Sequence, residues 1–577
     1  MSEPDERRPC FDSRCSLCRF ELVSGEKIAA VVDGGKVSRV FSFGPRKFWD
    51  DSLSITLVRC QGECLHYDGK AFPCHVECLR FAAHKPLTNM FHALAYAFEP
   101  VVAAETQRCR WIQLNFASKL SSVYRLPREL ALMISQYCIR EFAISAAWLP
   151  ITAPNTYSVD LRSEVWARYV IIDGVQYFAS LTNQHSADAQ LILNIEKAAS
   201  VDTIYIAEDH LGIQQIHFGN LTLVKPDKNA YKLWWRTISI RDIARLHVNT
   251  DGLKIRSFKS FAGDEISRLA ENVAWHTPEH RPELIRFHSL NSTSPAQLRM
   301  TTILCNSPYT TAYSASWDWS ILCLHAHNAD KNLAFYDNVQ TKNALWLYMP
   351  IDKGEYISQI WKRFRRLARE LALLIITNKG RVMMLGPQPQ PHWRRCNWTL
   401  LHQSKGTSSR MFFDVSPNGI HKLAFESLKP TSQDERPIIP TPLSLYPEST
   451  SLDDYFYTSA ALENVIEFTP CERNVAGRLS IIGLLFRYSD GTQACIGQFR
   501  LDCAAIPLVV ANSSRMWLSL DTEDGFPFVK SVGVSQPPRP MSQRCLYVSW
   551  VGRLEWWFSH KQCKLYYQSQ ASIATKA

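Results

Sequence analysis

Two pairs of residues in this chain carry the spacing of metal ligands: Cys15-x-x-Cys18 and His75-x-x-Cys78. Two thiolates so spaced can grip one ion while backbone amides stabilise their charge, and a second pair completes a tetrahedron. Between them Cys60-x-x-x-Cys64-x-His66 offers three more donors, and Cys10 and Cys74 bring the candidates to nine. Seven of the 17 cysteines fall in the first 78 residues, and the other ten are scattered singly. Scattered cysteines read as small buried hydrophobes. The clustered ones read as ligands rather than disulfides, because the opening MSEPDERRPC lacks the apolar stretch of a secretory signal. The spacing favours one Zn2+ held by Cys15, Cys18, His75 and Cys78, with Cys10, Cys60, Cys64, His66 and Cys74 as alternates. Protein fills all four positions, so the ion is expected to be structural rather than catalytic. Residues 1–82 hold few apolar anchors beyond the cysteines, so metal binding would supply much of the module's folding energy. The competing reading is a group of buried free thiols.

A knuckle followed at a distance by a pair at a helix start resembles the treble-clef finger, with Val76 to Ala83 as the expected helix. A RING-type ubiquitin ligase would need eight cross-braced ligands, and no closing C-x-x-C follows Cys78.

Leu126, Leu130 and Ile134 stand four apart and share one helix face, and Pro127 suits a first helical turn, where its missing N–H costs nothing. Leu126-Pro127-Arg128-Glu129-Leu130 with Ile134 resembles the opening of an F-box. In that family the first helix docks on the Skp1 adaptor of a ubiquitin ligase, which makes Skp1 the implied partner of Leu126, Pro127, Leu130 and Ile134. The resemblance covers residues 126–138. It departs from the family later on, where Trp148 is the only late aromatic candidate. The alternative is an ordinary amphipathic helix packed on the β region.

From about residue 155 short runs rich in Val, Ile, Tyr, Phe and Trp recur between turn residues, with Asp173-Gly174, Asp251-Gly252 and Asp490-Gly491 between apolar runs. Such dipeptides are the strongest short-range hairpin signal. Glu355 to Ile376 could be a helix by spacing, but β-branched residues at both ends favour two strands around a basic connection. LALLIITNKGRVMMLG (371–386) aligns without gaps on IIGLLFRYSDGTQACIG from its second residue, at an offset of 111. Gly354, Glu355, Ile357, Ile360, Thr377, Asn378, Gly380, Arg381 and Gly386 resemble a jacalin-related, β-prism hairpin, with 482–497 as a second copy. That resemblance implies a lectin-like body, but the family's sugar-binding loop has no counterpart here. More broadly, a Cys/His finger, an F-box-like helix and a long β-rich body resemble a group of large fungal proteins. That likeness implies no activity.

The elements that must position these residues follow from composition. The chain has 577 residues, 46% hydrophobic and 20% charged, which excludes a disordered or collagen-like protein. The expectation is a mainly β fold with a small α region: an N-terminal zinc-binding module, a short F-box-like helical segment and a large multi-sheet β-rich body. The expected segments are 1–82, a helical connector at 86–150, β-rich domains at 151–427 and 451–577, and a Pro-rich linker at 428–450. The net charge of +10 is interspersed, without the concentrated stripe of a nucleic-acid binder. No run approaches the ~18 apolar residues of a membrane span, so the cytoplasm or nucleus is expected. No G-x-S-x-G, P-loop or H-E-x-x-H occurs. His325-x-His327 with Asp330 and Asp337, Asp209-His210, the basic run from Lys362 to Arg369 and the pairs Trp234-Trp235 and Trp556-Trp557 read as strand, turn, solvated connection and core. The chain is read as a protein-interaction protein in which no catalytic motif is found, an F-box-like substrate adaptor with a structural zinc; carbohydrate binding is the alternative.

Overall fold

In a strand successive side chains face opposite ways, so runs such as Val165–Ile172 and Leu298–Cys305 bury alternate residues and expose the rest. A chain built of such runs must stack sheets, and this one does. A computed structural model describes residues 8–60, 69–82, 88–146, 150–194, 196, 201, 203–219, 233–239, 245–259, 272–279, 284–290, 297–329, 333–337, 344–365, 370–390, 396–416, 418–426, 436–448, 454–475, 478–510, 513–534, 536–537, 545–568 and 570–571. The fold is mainly β, with a small α region and a Cys/His cluster near the N-terminus. Among the described residues no helix is long and apolar enough to cross a membrane.

The chain packs as two units, residues 1–283 with 295–299 and residues 284–294 with 300–577. The expected segments 1–82 and 86–150 lie in the first unit and 428–577 in the second; 151–427 runs through both.

The first unit opens with six strands: β1 (Cys10–Phe11), β2 (Lys27–Val31), β3 (Phe41–Ser42), β4 (Lys47–Asp50), β5 (Ile55–Arg59) and β6 (Lys70–His75). Their order in the sheet is β3-β2-β6-β1-β5-β4, with β1 parallel to both neighbours. Five helices follow: α1 (Val76–Ala82), α2 (Thr88–Leu94), α3 (Val102–Tyr124), α4 (Arg128–Tyr137) and α5 (Ile139–Ala146). Among the strands that follow in the unit are three hairpins, Val165–Ile172 with Val175–Thr182, Thr203–Glu208 with Ile213–Phe218, and Arg245–Thr250 with Ile255–Lys259. Each turns on an aspartate. Asp173 and Gly174 both take positive φ, as a two-residue hairpin turn requires. Asp209 Oδ1 accepts the amides of Leu211 and Gly212, and Asp251 Oδ1 those of Leu253 and Lys254. The side chain thus builds the turn itself.

In the second unit Ile357–Arg365 and Glu370–Thr377 are the two strands expected over 355–376. The aligned segments form hairpins of the same register: Leu373 pairs Leu385 as Leu484 pairs Ile496, and Ile375 pairs Met383 as Phe486 pairs Ala494. Leu373, Ile375, Leu385, Leu484, Phe486 and Ile496 meet in one apolar core. Arg363, expected in a solvated basic connection, is instead fully buried, with Nη2 donating to Pro387 O at 2.8 Å; Arg366 and Arg369 lie outside the described residues. The Pro-rich stretch is pinned over 436–448, where Glu555 accepts the amides of Leu443 and Ser444.

Candidate metal centre

The Cys15–Cys18 turn is closed by its own backbone. Arg19 N donates to Cys15 O at 2.8 Å and Cys15 N to Phe20 O at 3.0 Å. Closing it puts Arg19 at φ +66, a left-handed conformation that a non-glycine residue adopts at a cost. Ser16 N donates to Pro73 O, which docks the turn on β6. That strand ends in Cys74 and His75, and the chain then enters α1 with Cys78 in its first turn.

The four residues favoured by spacing come together. The ligand atoms of Cys15, Cys18, His75 and Cys78 all lie within 4.8 Å of one another, and all four residues are buried. Cys18 Sγ and Cys78 Sγ each stand 3.5 Å from His75 Nδ1. Sulfur and nitrogen donors at the usual zinc distances on a tetrahedron would be ~3.6 Å apart, so this cluster could hold a metal ion. Of the alternates, Cys74 is buried beside the cluster, while Cys10 in β1 and Cys60 just after β5 are part-exposed. Cys64 and His66 lie outside the described residues.

The electrostatics of the cluster call for a cation. Burial pushes each thiol up. Only at Cys15 do hydrogen bonds from Cys18, Cys74, Cys78 and His75 outweigh it and hold the thiol well below its usual value. Cys18 is held above its usual value by burial and by Cys15, and Cys78 by its hydrogen bonds to Cys15 and Cys18. Cys74 is raised by burial first and then by Cys15. One thiolate therefore forbids the next, and a divalent ion would release all three.

Sequence reasoning missed the shell around these ligands. His75 turns Nε2 toward Glu26 Oε2 at 3.3 Å, and Glu26 accepts Arg140 Nη2 of α5 and Val23 N, each at 2.6 Å. A carboxylate behind a ligating histidine fixes its ring and raises its basicity. On the other side Arg108 of α3 donates through Nη2 to Cys18 O and through Nε to Asp173 Oδ2, both at 2.6 Å. Arg19 Nη2 reaches the same Asp173 oxygen at 2.6 Å. Burial opposes ionisation of Asp173, but the two guanidinium groups win and hold its carboxyl below the usual range.

The other expected residues fall elsewhere. Helix α4 begins just after Pro127, and its small residues Ala131 and Ser135 face inward. Leu130, Met133, Ile134 and Tyr137 are 49%, 58%, 40% and 87% exposed, and Leu126 is half-buried. The apolar face therefore does not pack on the β region as an ordinary amphipathic helix would; Trp148 lies outside the described residues. His327 Nε2 meets Ser314 Oγ at 2.7 Å in a buried strand, Asp330 lies outside the described residues, and nothing is described of the Asp337 side chain. Trp235, Trp556 and Trp557 are core. The motif residues around the 354–386 hairpin serve one another. Glu355 accepts Thr377 Oγ1 and Arg381 Nε, Asn378 accepts Tyr356 N, and Arg381 reaches Asp352 and Gln493 O.

No protein family and no curated protein matches the chain. Among solved structures it is similar to a prostate-specific WGA16 glycoprotein lectin, at 14% identity over 24% of this chain and 87% of that one, with a TM-score of 0.15. So low a TM-score fixes neither fold nor ligand.

Proposed function

We propose that this chain is an intracellular protein-interaction protein of the cytoplasm or nucleus, built to bind rather than catalyse. One structural Zn2+ on Cys15, Cys18, His75 and Cys78 closes its N-terminal module, and α4 docks a protein partner in the manner of an F-box-like substrate adaptor on Skp1. The observation that carries the reading is the outward apolar face of α4, Leu130, Met133, Ile134 and Tyr137, on a folded helix whose inner face is already satisfied. Exposed apolar surface on a rigid element is what association buries. The zinc draws the charge of three thiolates that cannot otherwise ionise together. Arg140 of α5 and Glu26 behind His75 link the metal centre to the helical region that carries the face.

Elemental analysis with affinity-purification mass spectrometry on the intact chain tests it. The expected result is zinc near one per chain and Skp1 among the partners, with Skp1 lost in Leu130→Asp. Zinc without Skp1 in the wild type would sink the adaptor. A lectin-like body is the second reading, resting on the two hairpins of equal register. A glycan array on the full chain answers it. Silence there removes it; Glu355, Thr377 and Arg381 already bond one another, and Asn378 bonds the backbone of Gly354 and Tyr356.

A further inference from the structure

The first unit holds a part-open cavity of about 180 Å³ where the Cys15–Cys18 turn, α3 and two of the aspartate hairpins meet. Its walls differ in character. Trp111, Ile172, Leu211 and Leu233 are apolar; Arg19, Arg108, Asp173 and Asp209 are charged. A volume near 150 Å³ already admits a benzene ring in an apolar interior.

Most of the charged atoms are accounted for. Asp209 accepts Leu211 N, Gly212 N, Tyr177 OH and Gln214 Nε2. Asp173 Oδ2 takes both guanidinium groups. Three buried atoms are not: Arg19 Nε, Arg19 Nη1 and Asp173 Oδ1 have no partner among the described residues. Arg19 is only 3% exposed, and it is held there in a left-handed backbone conformation. Leaving such atoms bare is costly, and more so for a charged group. The unmet need is lopsided, with two donor nitrogens against one acceptor oxygen, beside an apolar wall the size of a ring.

We propose that this cavity binds a small organic acid: its carboxylate on Arg19, a hydroxyl or ammonium beside that carboxylate on Asp173 Oδ1, and a ring-sized apolar body against Trp111, Leu211 and Leu233. An α-amino or α-hydroxy acid with an apolar side chain has this pattern. The site uses none of the proposed zinc ligands and none of the α4 face, so it stands apart from the adaptor reading.

The test is calorimetric titration of the zinc-loaded full chain with L-phenylalanine. Phenylacetate, which lacks the donor, and inorganic phosphate, which lacks the apolar body, serve as comparators. Saturable one-to-one binding of phenylalanine is expected, with phenylacetate and phosphate each weaker by about tenfold, the worth of one charged hydrogen bond. Arg19→Gln should lose the binding. Because Arg19 adjoins Cys18, a second variant leaves the charges alone: Ala104→Trp fills the cavity from α3 and should abolish binding with zinc content unchanged. No saturable heat for phenylalanine at millimolar concentration would overturn the proposal. So would phosphate binding as tightly, or undiminished binding in Ala104→Trp.

Discussion

The N-terminal part of the first unit and the repeated hairpins of the second reach stability by opposite routes. Around the metal centre buried charge is dense: Arg19, Arg108, Asp173 and three thiols lie within one cluster of contacts. Around the hairpins the interior is hydrocarbon, with Leu373, Leu484, Phe486 and Ile496 almost fully buried, and their polar residues face one another at the rim. Area-driven burial is distributed, so one loss is felt locally. A charged cluster is all or nothing, since each group is tolerable only because the others are present. The first region should therefore fail as a whole and the second by degrees.

Removing the proposed metal is the largest available perturbation. Structural zinc sites carry on the order of 10–16 kcal/mol of apparent folding energy. A chelator, or Cys15→Ser, should abolish hydrogen-exchange protection over 8–60, 69–82 and 88–146 and leave the peptides covering 357–365 and 478–497 protected. Equal loss in both regions would erase the contrast, and loss in neither would mean that the cluster holds no ion.

Asp173→Ala comes next. It strands two buried guanidinium groups, and breaking such a pair costs about 3–5 kcal/mol. The control is Glu467→Ala in the second unit, whose partner Arg487 is half exposed at 53%; exposed pairs are worth about 1 kcal/mol or less. Comparable denaturation midpoints for the two variants would refute the idea that the buried cluster is cooperative.

The Cys/His cluster could be read from the sequence because its spacing is local: two cysteines in one turn, a histidine and a cysteine at a helix start. Glu26, Arg140, Arg108 and Asp173 could not. The contacts that join them to the cluster and to one another span 49 to 154 residues, and a charged side chain in a strand or helix gives no sign of facing inward. Hairpins at Asp173-Gly174 and Asp490-Gly491 were legible from turn chemistry. The turn at Asp209-His210, legible as a polar turn, has its glycine at 212 rather than directly after the aspartate, and the Asp209 carboxylate closes it. Arg363 shows the converse failure. Within a basic run it looks solvated, yet its strand partner Ala372 and the Pro387 carbonyl enclose it.

Acid should sharpen the contrast by weakening the hydrocarbon unit gradually. Burial presses His327 and His402 down to about 4, with the neighbouring His325 and Arg286 adding to it. Both are neutral when folded, while the unfolded chain takes up protons from about pH 6.5 downward. Their contribution is thus complete above about 6.5 and drains away as pH falls toward 4, by about 3 kcal/mol each. Denaturant midpoints of the second unit, followed by hydrogen exchange between pH 7 and 4, should fall smoothly, with a shallower slope in His402→Gln. Asp173 is depressed as well, so its share of stability is also lost on acidification, but only below the ordinary carboxylate range. A second unit indifferent to pH over that interval would remove these histidines from the account.

The smallest effect on stability is expected where the largest effect on binding is proposed. Leu130 is about half exposed on α4, and the helix is anchored by Ala131 and Ser135 on its other side. Leu130→Asp introduces a charge that water can solvate without disturbing either face, so the unfolding midpoint should move by no more than ~0.5 kcal/mol. The same substitution at Ala131, which has no exposed surface, buries the charge and should cost several times as much. If Leu130→Asp proves as damaging as Ala131→Asp, the apolar face is an internal one. Its exposure could then no longer support a docking role, and the difference between an interior held by charge and a surface left open for a partner would vanish at this helix.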